Sequence, residues 1–186
     1  MGFLKSNWKN IVFFVGVALL LIPQTAMPIK VYFNRIIALS PSEVDKTDRL
    51  VLNEYNWNLR TLDNKQANFS QSEGNVIVLN LWATWCPPCV AEMPSMQKLY
   101  ESYADSVDFY FVTSEASKKP LEFIEKNAYS FPVYRMTQAA PDVLRSSTIP
   151  ATYVISKRGV VVIDEKGAAN WNSEKVHEVL DGLLTE

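Results

Sequence analysis

The stretch Asn80-Leu-Trp-Ala-Thr-Trp-Cys-Pro-Pro-Cys-Val-Ala-Glu-Met-Pro94 decides how this chain is read, and it holds both cysteines, Cys86 and Cys89. Leading into it, Val76-Ile-Val-Leu-Asn-Leu-Trp82 is apolar at nearly every position, as expected of a strand buried on both faces. After Pro87-Pro88 the pattern turns helical to about Tyr103, with a kink expected at Pro94. Two cysteines separated by two residues can close a small disulfide ring or supply half of a metal site. The loop they span is too short to staple a fold, so the pair is either reactive or ligating.

Outward from this stretch, Trp57–Thr61 alternates, Asp63-Asn64 marks a turn, and Gln66–Phe69 returns as a partner strand. Val107–Thr113 reads as a second buried strand, Pro120–Asn127 as a helix, Phe131–Arg135 as a short strand and Asp142–Ser146 as a helical turn. Ala151–Ile155 and Val160–Ile163 flank Lys157-Arg158-Gly159 as an antiparallel hairpin, and Ser173 caps a last helix to Leu184. Strand, helix, strand, helix, hairpin and closing helix make an α/β fold: a mixed sheet flanked by helices, with an N-terminal β-hairpin extension.

The pair thus falls where a central strand hands over to a helix, the usual place for a site in an open α/β sheet. Unpaired N–H groups and the helix dipole favour an anion at Cys86, which lowers the thiol pKa. Cys89 lies one turn further in. Cys86 is then the attacking thiol, and Cys89 resolves the mixed disulfide it forms. Pro87 and Pro88 stiffen the first turn and remove N–H donors that would otherwise face the Cys86 sulfur.

With 48% hydrophobic and 20% charged residues, the 186-residue chain suits one globular domain plus an appendage. The net charge of −2 is unevenly spread: the first forty residues carry Lys5, Lys9, Lys30 and Arg35 and no acid, which leaves −6 on the rest. An acidic domain behind a basic, apolar leader argues against nucleic acid as partner. Ile11–Ile22 is unbroken apolar sequence, and 11–29 approaches the roughly 20 residues of a membrane span. Gln24 is poorly placed for cleavage after Ala26, so an uncleaved signal anchor is expected over a removed signal peptide. Residues 1–10 would then be cytoplasmic, 30–49 a juxtamembrane stalk and linker, and 50–186 the domain.

Trp85-Cys86-Pro87-Pro88-Cys89, with Leu81-Trp82-Ala83-Thr84 before it and Glu92-Met93-Pro94 after it, resembles the membrane-anchored thioredoxin-like proteins of the TlpA/ResA type, over about residues 50–186. The resemblance implies a thioredoxin fold. It also implies a protein-disulfide reductase that works through a redox-active Cys86–Cys89 disulfide, without a cofactor, often during cytochrome c maturation. Its implied setting is the cytoplasmic membrane, single-pass, with the domain on the extracytoplasmic (periplasmic) side. The partners would be disulfide-bearing extracytoplasmic proteins and a membrane thiol-disulfide electron donor. A further family element, a cis-proline facing the cysteines, falls on Ile149-Pro150, where the Ile149 backbone would pair with a substrate chain. Thioredoxins bury an aspartate six residues before the first cysteine. Here that residue is Asn80, which cannot titrate. Glu92 follows Cys89 on the same helical face and is expected to serve as its acid/base.

Trp85 is expected to form contact surface beside Cys86, Trp82 to pack as core, and His177 to lie on the surface. The rival readings are an oxidant or isomerase of the same fold, a copper-handling module, and a binding module with a structural CxxC. A closed zinc site needs four ligands and the pair supplies two, while Met93 and Met96 read as core.

Overall fold

The computed structural model describes residues 8–14, 16 and 23–186. Most of the apolar run 11–22, the heart of the expected anchor, and most of the expected cytoplasmic segment lie outside the described residues. Among the described residues no helix is long and apolar enough to cross a membrane. The first described element with defined ends is helix α1, Pro23–Ile37, which packs against helix α2, Pro87–Tyr103.

Seven strands form one mixed sheet: β1 (Asn58–Thr61), β2 (Gln66–Asn68), β3 (Ile77–Leu81), β4 (Asp108–Thr113), β5 (Val133–Met136), β6 (Ala151–Ile155) and β7 (Val161–Lys166), in the order β2-β1-β5-β4-β3-β6-β7. β3, β4 and β5 are parallel, and every other pairing is antiparallel. α2 joins β3 to β4, helix α3 (Lys118–Asn127) joins β4 to β5, and helix α4 (Glu174–Leu184) closes the chain. Both crossovers step the same way along the sheet, so right-handed connections place α2 and α3 on one face. Phe123 and Ile124 of α3, and Val176 and Leu180 of α4, accordingly share a core with Met93, Met96 and Leu99 of α2. The other face is covered by non-helical chain: Leu52, Tyr55 and Trp57, with 3-10 turns at Phe69–Ser72 and Asp142–Leu144. The expected helices therefore flank the sheet on one side only.

β3 is buried at all five positions. Its period-2 alternation sends Ile77, Leu79 and Leu81 to the non-helical face and Val78 and Trp82 to the helical one. Asn80 shares the parity of Val78 and Trp82, so a polar side chain points beneath α2. The helix runs on through Pro94. The polar stretch expected as a linker is pinned to the edge of β7: the Val44 amide donates to the Val162 carbonyl (2.8 Å), and the Val161 amide donates to the Leu50 carbonyl (2.9 Å). At the β6–β7 turn Gly159 has φ +77°, and a Cβ there would stand 2.6 Å from the Leu52 carbonyl oxygen. Only glycine allows both that backbone and that approach.

Candidate active site

Cys86 and Cys89 are joined in a disulfide, with Cα atoms 5.3 Å apart. Cys86 is the N-cap of α2, and its sulfur accepts a hydrogen bond from the Cys89 amide at 3.2 Å. Pro87 and Pro88 occupy the first helical positions, so Cys89 supplies the first N–H able to reach that sulfur. A Cys86 thiolate would inherit this donor together with the positive end of the helix dipole. The Ile149–Pro150 peptide bond is cis, and the Ile149 carbonyl oxygen lies 3.7 Å from the Cys86 sulfur. Both cysteines are buried as residues, whereas Trp85 is 64% exposed. Trp85 thus lies open to solvent beside Cys86, and Trp82 is core, its ring tilted by 49° to that of Phe123 with centroids 5.3 Å apart.

The loop before Cys86 is held by a residue that the sequence did not single out. Glu115, just after β4, accepts from the Thr84 amide (2.6 Å) and from the Thr84 hydroxyl (2.8 Å). Two charge-assisted bonds to one residue fix the backbone two positions before Cys86.

Behind Cys89 the environment changes. Glu92 is 1% exposed, one helical turn on from Cys89. Its Oε1 accepts from Asn80 Nδ2 at 2.8 Å, and its Oε2 accepts from Trp171 Nε1 at 2.9 Å and from the Ala169 amide at 3.3 Å. Asn80 Nδ2 also donates to the Thr152 hydroxyl at 2.7 Å, across the β3–β6 register. Burial pushes the Glu92 carboxyl up to about 8, against the opposing pull of the Trp171, Asn80 and Ala169 hydrogen bonds. Glu92 is therefore a buried carboxyl that takes up a proton far more readily than an exposed one. The polar cavity of ≈ 340 Å³ between α1 and α2 reaches Ala91, Ser95 and Ala169, which border it.

The structure thus brings together Cys86, Cys89, Trp85, Pro87, Pro88, Ile149 and Pro150, with Glu92 one turn behind. Sequence reasoning missed Trp171, Ala169, Thr152 and Glu115. Asn80 was readable as a departure from the thioredoxin pattern and, by β3 parity, as lying under α2. Nothing local marked Trp171, which lies 79 residues from Glu92. His177 is half-buried rather than on the surface, between the Tyr103 hydroxyl (3.2 Å) and Asn172 Oδ1 (3.0 Å). Among the described residues no group of three or more His, Cys, Asp or Glu side chains could hold a metal.

Comparison with known proteins yields one family: residues 54–164, more than half of the chain, match the AhpC/TSA family. The chain is 32% identical over 109 residues to "Thioredoxin-like protein YneN" of Bacillus subtilis, covering 56% of this chain and 64% of that protein. It is 34% identical over 127 residues to "Thiol-disulfide oxidoreductase ResA" of Oceanobacillus iheyensis, covering 67% and 58%. The chain therefore spans less than two thirds of the length of these relatives. Among solved structures, a DsbF homologue from Corynebacterium diphtheriae superimposes with a TM-score of 0.61 at 18% identity, over 77% of this chain and 93% of its own. StoA from Bacillus subtilis does so with a TM-score of 0.51 at 23% identity, over 70% and 96%. At those identities the likeness shows a shared thioredoxin-like fold.

Proposed function

This chain belongs to the AhpC/TSA family, thioredoxin-like in fold, and from that premise we propose that it is a thiol-disulfide oxidoreductase acting on proteins through Cys86 and Cys89. One observation carries the reading: the Cys86–Cys89 disulfide closes the first turn of α2, with the Ile149 carbonyl against the Cys86 sulfur. In the reduced protein the Cys86 thiolate attacks a substrate disulfide, forming a mixed disulfide and releasing one substrate sulfur as a thiolate. Cys89 then gives its proton to the Glu92 carboxylate and attacks the Cys86 sulfur. This restores the Cys86–Cys89 disulfide and releases the second substrate sulfur. The two substrate thiolates take their protons from Glu92 and from solvent, and two electrons pass to the substrate in all. An incoming dithiol must return them, and a membrane thiol-disulfide carrier is the proposed donor.

The proposed direction is reduction of disulfides in extracytoplasmic proteins, apocytochrome c among them, with the chain anchored in the cytoplasmic membrane. Supporting that location, Ile29, Tyr32, Phe33 and Ile36 form a helical stripe on α1, each 44–67% exposed, directly after the apolar run. Such a face suits the headgroup–acyl boundary, with Lys30 and Arg35 beside it. Two measurements test the reading. The reduced full chain should reduce a disulfide-bonded protein, and Cys86→Ser should not. The Cys86–Cys89 couple should equilibrate nearer the thioredoxin end, about −270 mV, than the oxidant end, about −120 mV; a potential near the oxidant end reverses the direction.

A further inference from the structure

The two oxygens of Glu92 are not equivalent. Oε2 accepts from Trp171 Nε1 and the Ala169 amide, and neither donor can ever accept. A proton on Glu92 must therefore sit on Oε1, whose partner is Asn80 Nδ2 at 2.8 Å. Nδ2 is itself a donor, and two donors facing each other at that distance are repulsive. The arrangement described above is thus the one suited to the carboxylate.

Asn80 is the one partner of Glu92 whose two ends can be exchanged. Half a turn of its side-chain amide places Oδ1 where Nδ2 now stands. Oδ1 would then accept from Glu92 Oε1–H and from the Thr152 hydroxyl, 2.7 Å from the present Nδ2. In the carboxylate arrangement Asn80 Oδ1 is buried with no partner, and the Thr152 hydroxyl donates to no group among the described residues. The turned amide satisfies both and moves the unpaired end to Nδ2. Each protonation state of Glu92 therefore has its own amide orientation, at a similar cost in unpaired groups.

We propose that Asn80 and Thr152 are positioning residues for the proton of the exchange reaction: Asn80 turns its amide when Glu92 is protonated, and Thr152 changes from acceptor to donor with it. This rests on the reading of Glu92 as the group that takes the Cys89 proton. In that step the S–H bond of Cys89 breaks, the O–H bond at Oε1 forms, and no electrons change hands. The change is then felt at Thr152, two residues after Pro150, on the strand beside which a substrate chain would lie. Among the described residues no cation acts on Glu92; Arg35 of α1 and Lys98 of α2 line the neighbouring cavity. β3 and β6 present Asn80 and Thr152, which do not titrate, and the loop before α4 presents N–H groups. α2 presents the cysteine pair, and Glu165 of β7 is the one further carboxylate acting on Glu92.

The experiment uses the full chain in detergent micelles, with asparagine side chains labelled with 15N and glutamate carboxyls with 13C, followed by NMR against pH. The Asn80 side-chain NH2 signals should move with the same midpoint as the Glu92 carboxyl. In Glu92→Gln, whose amide can both donate to Asn80 and accept from Trp171, the Asn80 signals should stay at their low-pH position throughout. Thr152→Ser should keep the midpoint. Thr152→Val should raise it by at least about half a pH unit, because the loss of the hydroxyl strips an Asn80 N–H of its acceptor in the carboxylate arrangement, whereas in the turned one Oδ1 keeps the Glu92 O–H. A Glu92 titration with no response at Asn80, or the same response in Glu92→Gln, overturns the proposal for Asn80. An unmoved midpoint in Thr152→Val overturns the part given to Thr152. If Glu92→Gln slows thiol exchange while Asn80 stays silent, the proposal fails and the assignment of Glu92 stands.

Discussion

The two cysteines are three residues apart and live in different settings. Around Cys86 the protein offers backbone and surface: the Ile149 carbonyl, the exposed Trp85, and a loop clamped by Glu115. Behind Cys89 it offers a closed polar cluster inside the core: Glu92, Asn80, Thr152 and Trp171, each at most 1% exposed. The first setting suits recognition of another protein, because its groups are reachable and make no demand on protonation. The second suits handling a proton, because desolvation holds Glu92 near neutrality and fixed donors aim its oxygens. If this contrast is right, changes on the Cys86 side alter which substrates react and how fast, while changes on the Cys89 side alter pH dependence and stability.

The largest expected effect separates the two cysteines. Cys89→Ala should accumulate a mixed disulfide between Cys86 and substrate, seen as a covalent adduct on non-reducing gels, whereas Cys86→Ser should form none. An adduct through Cys89 in Cys86→Ser would reverse the roles.

Glu92→Gln should slow release from the mixed disulfide by about a hundredfold, within the range for a lost general base. It should also change stability. The Glu92 pKa is raised from 4.5 to about 8, so the folded chain holds a proton that the unfolded chain releases in that window. The stability this contributes is full below pH 4.5 and falls as pH rises to 8, by up to about 5 kcal/mol. Denaturant unfolding at pH 9 should therefore find Glu92→Gln more stable than the parent; a less stable variant there would contradict the burial argument.

Trp171→Phe keeps the ring and removes the N–H that favours the Glu92 carboxylate, so the Glu92 midpoint should rise by about one pH unit. A carboxyl titration followed by NMR checks this, and a fall in midpoint would break the account of the cluster. Trp85→Ala is the mildest change. At an exposed position it should shift unfolding free energy by no more than about 0.5 kcal/mol while raising KM for protein substrates, with the pH profile unchanged. A changed pH profile would blur the two settings into one.

The parts of this arrangement differ in how far they can be read from sequence. Val76–Trp82 and the hairpin about Gly159 follow from local pattern, because burial on both faces and a left-handed turn each leave a signature in neighbouring residues. The cysteine pair, Pro150 and Glu92 were visible as motif positions. The contacts that give Glu92 its character were not. Trp171 and Ala169 come from a loop before α4 with no periodicity, and Glu115 is an ordinary loop carboxylate until the fold sets it against Thr84. The strip about Val44 read as linker because its side chains are polar, yet its backbone pairs with β7, and backbone pairing leaves little trace in composition. One-sided helix packing depends on the order of strands in space, which sequence order does not state.

The most direct test of Glu92 as proton acceptor is the pH dependence of mixed-disulfide resolution, followed by stopped flow in the parent chain and in Glu92→Gln. The parent rate should rise with pH through a midpoint near that of Glu92, about 8, and Glu92→Gln should be slow and lack that midpoint. Superimposable rates and profiles for the two proteins would contradict the assignment.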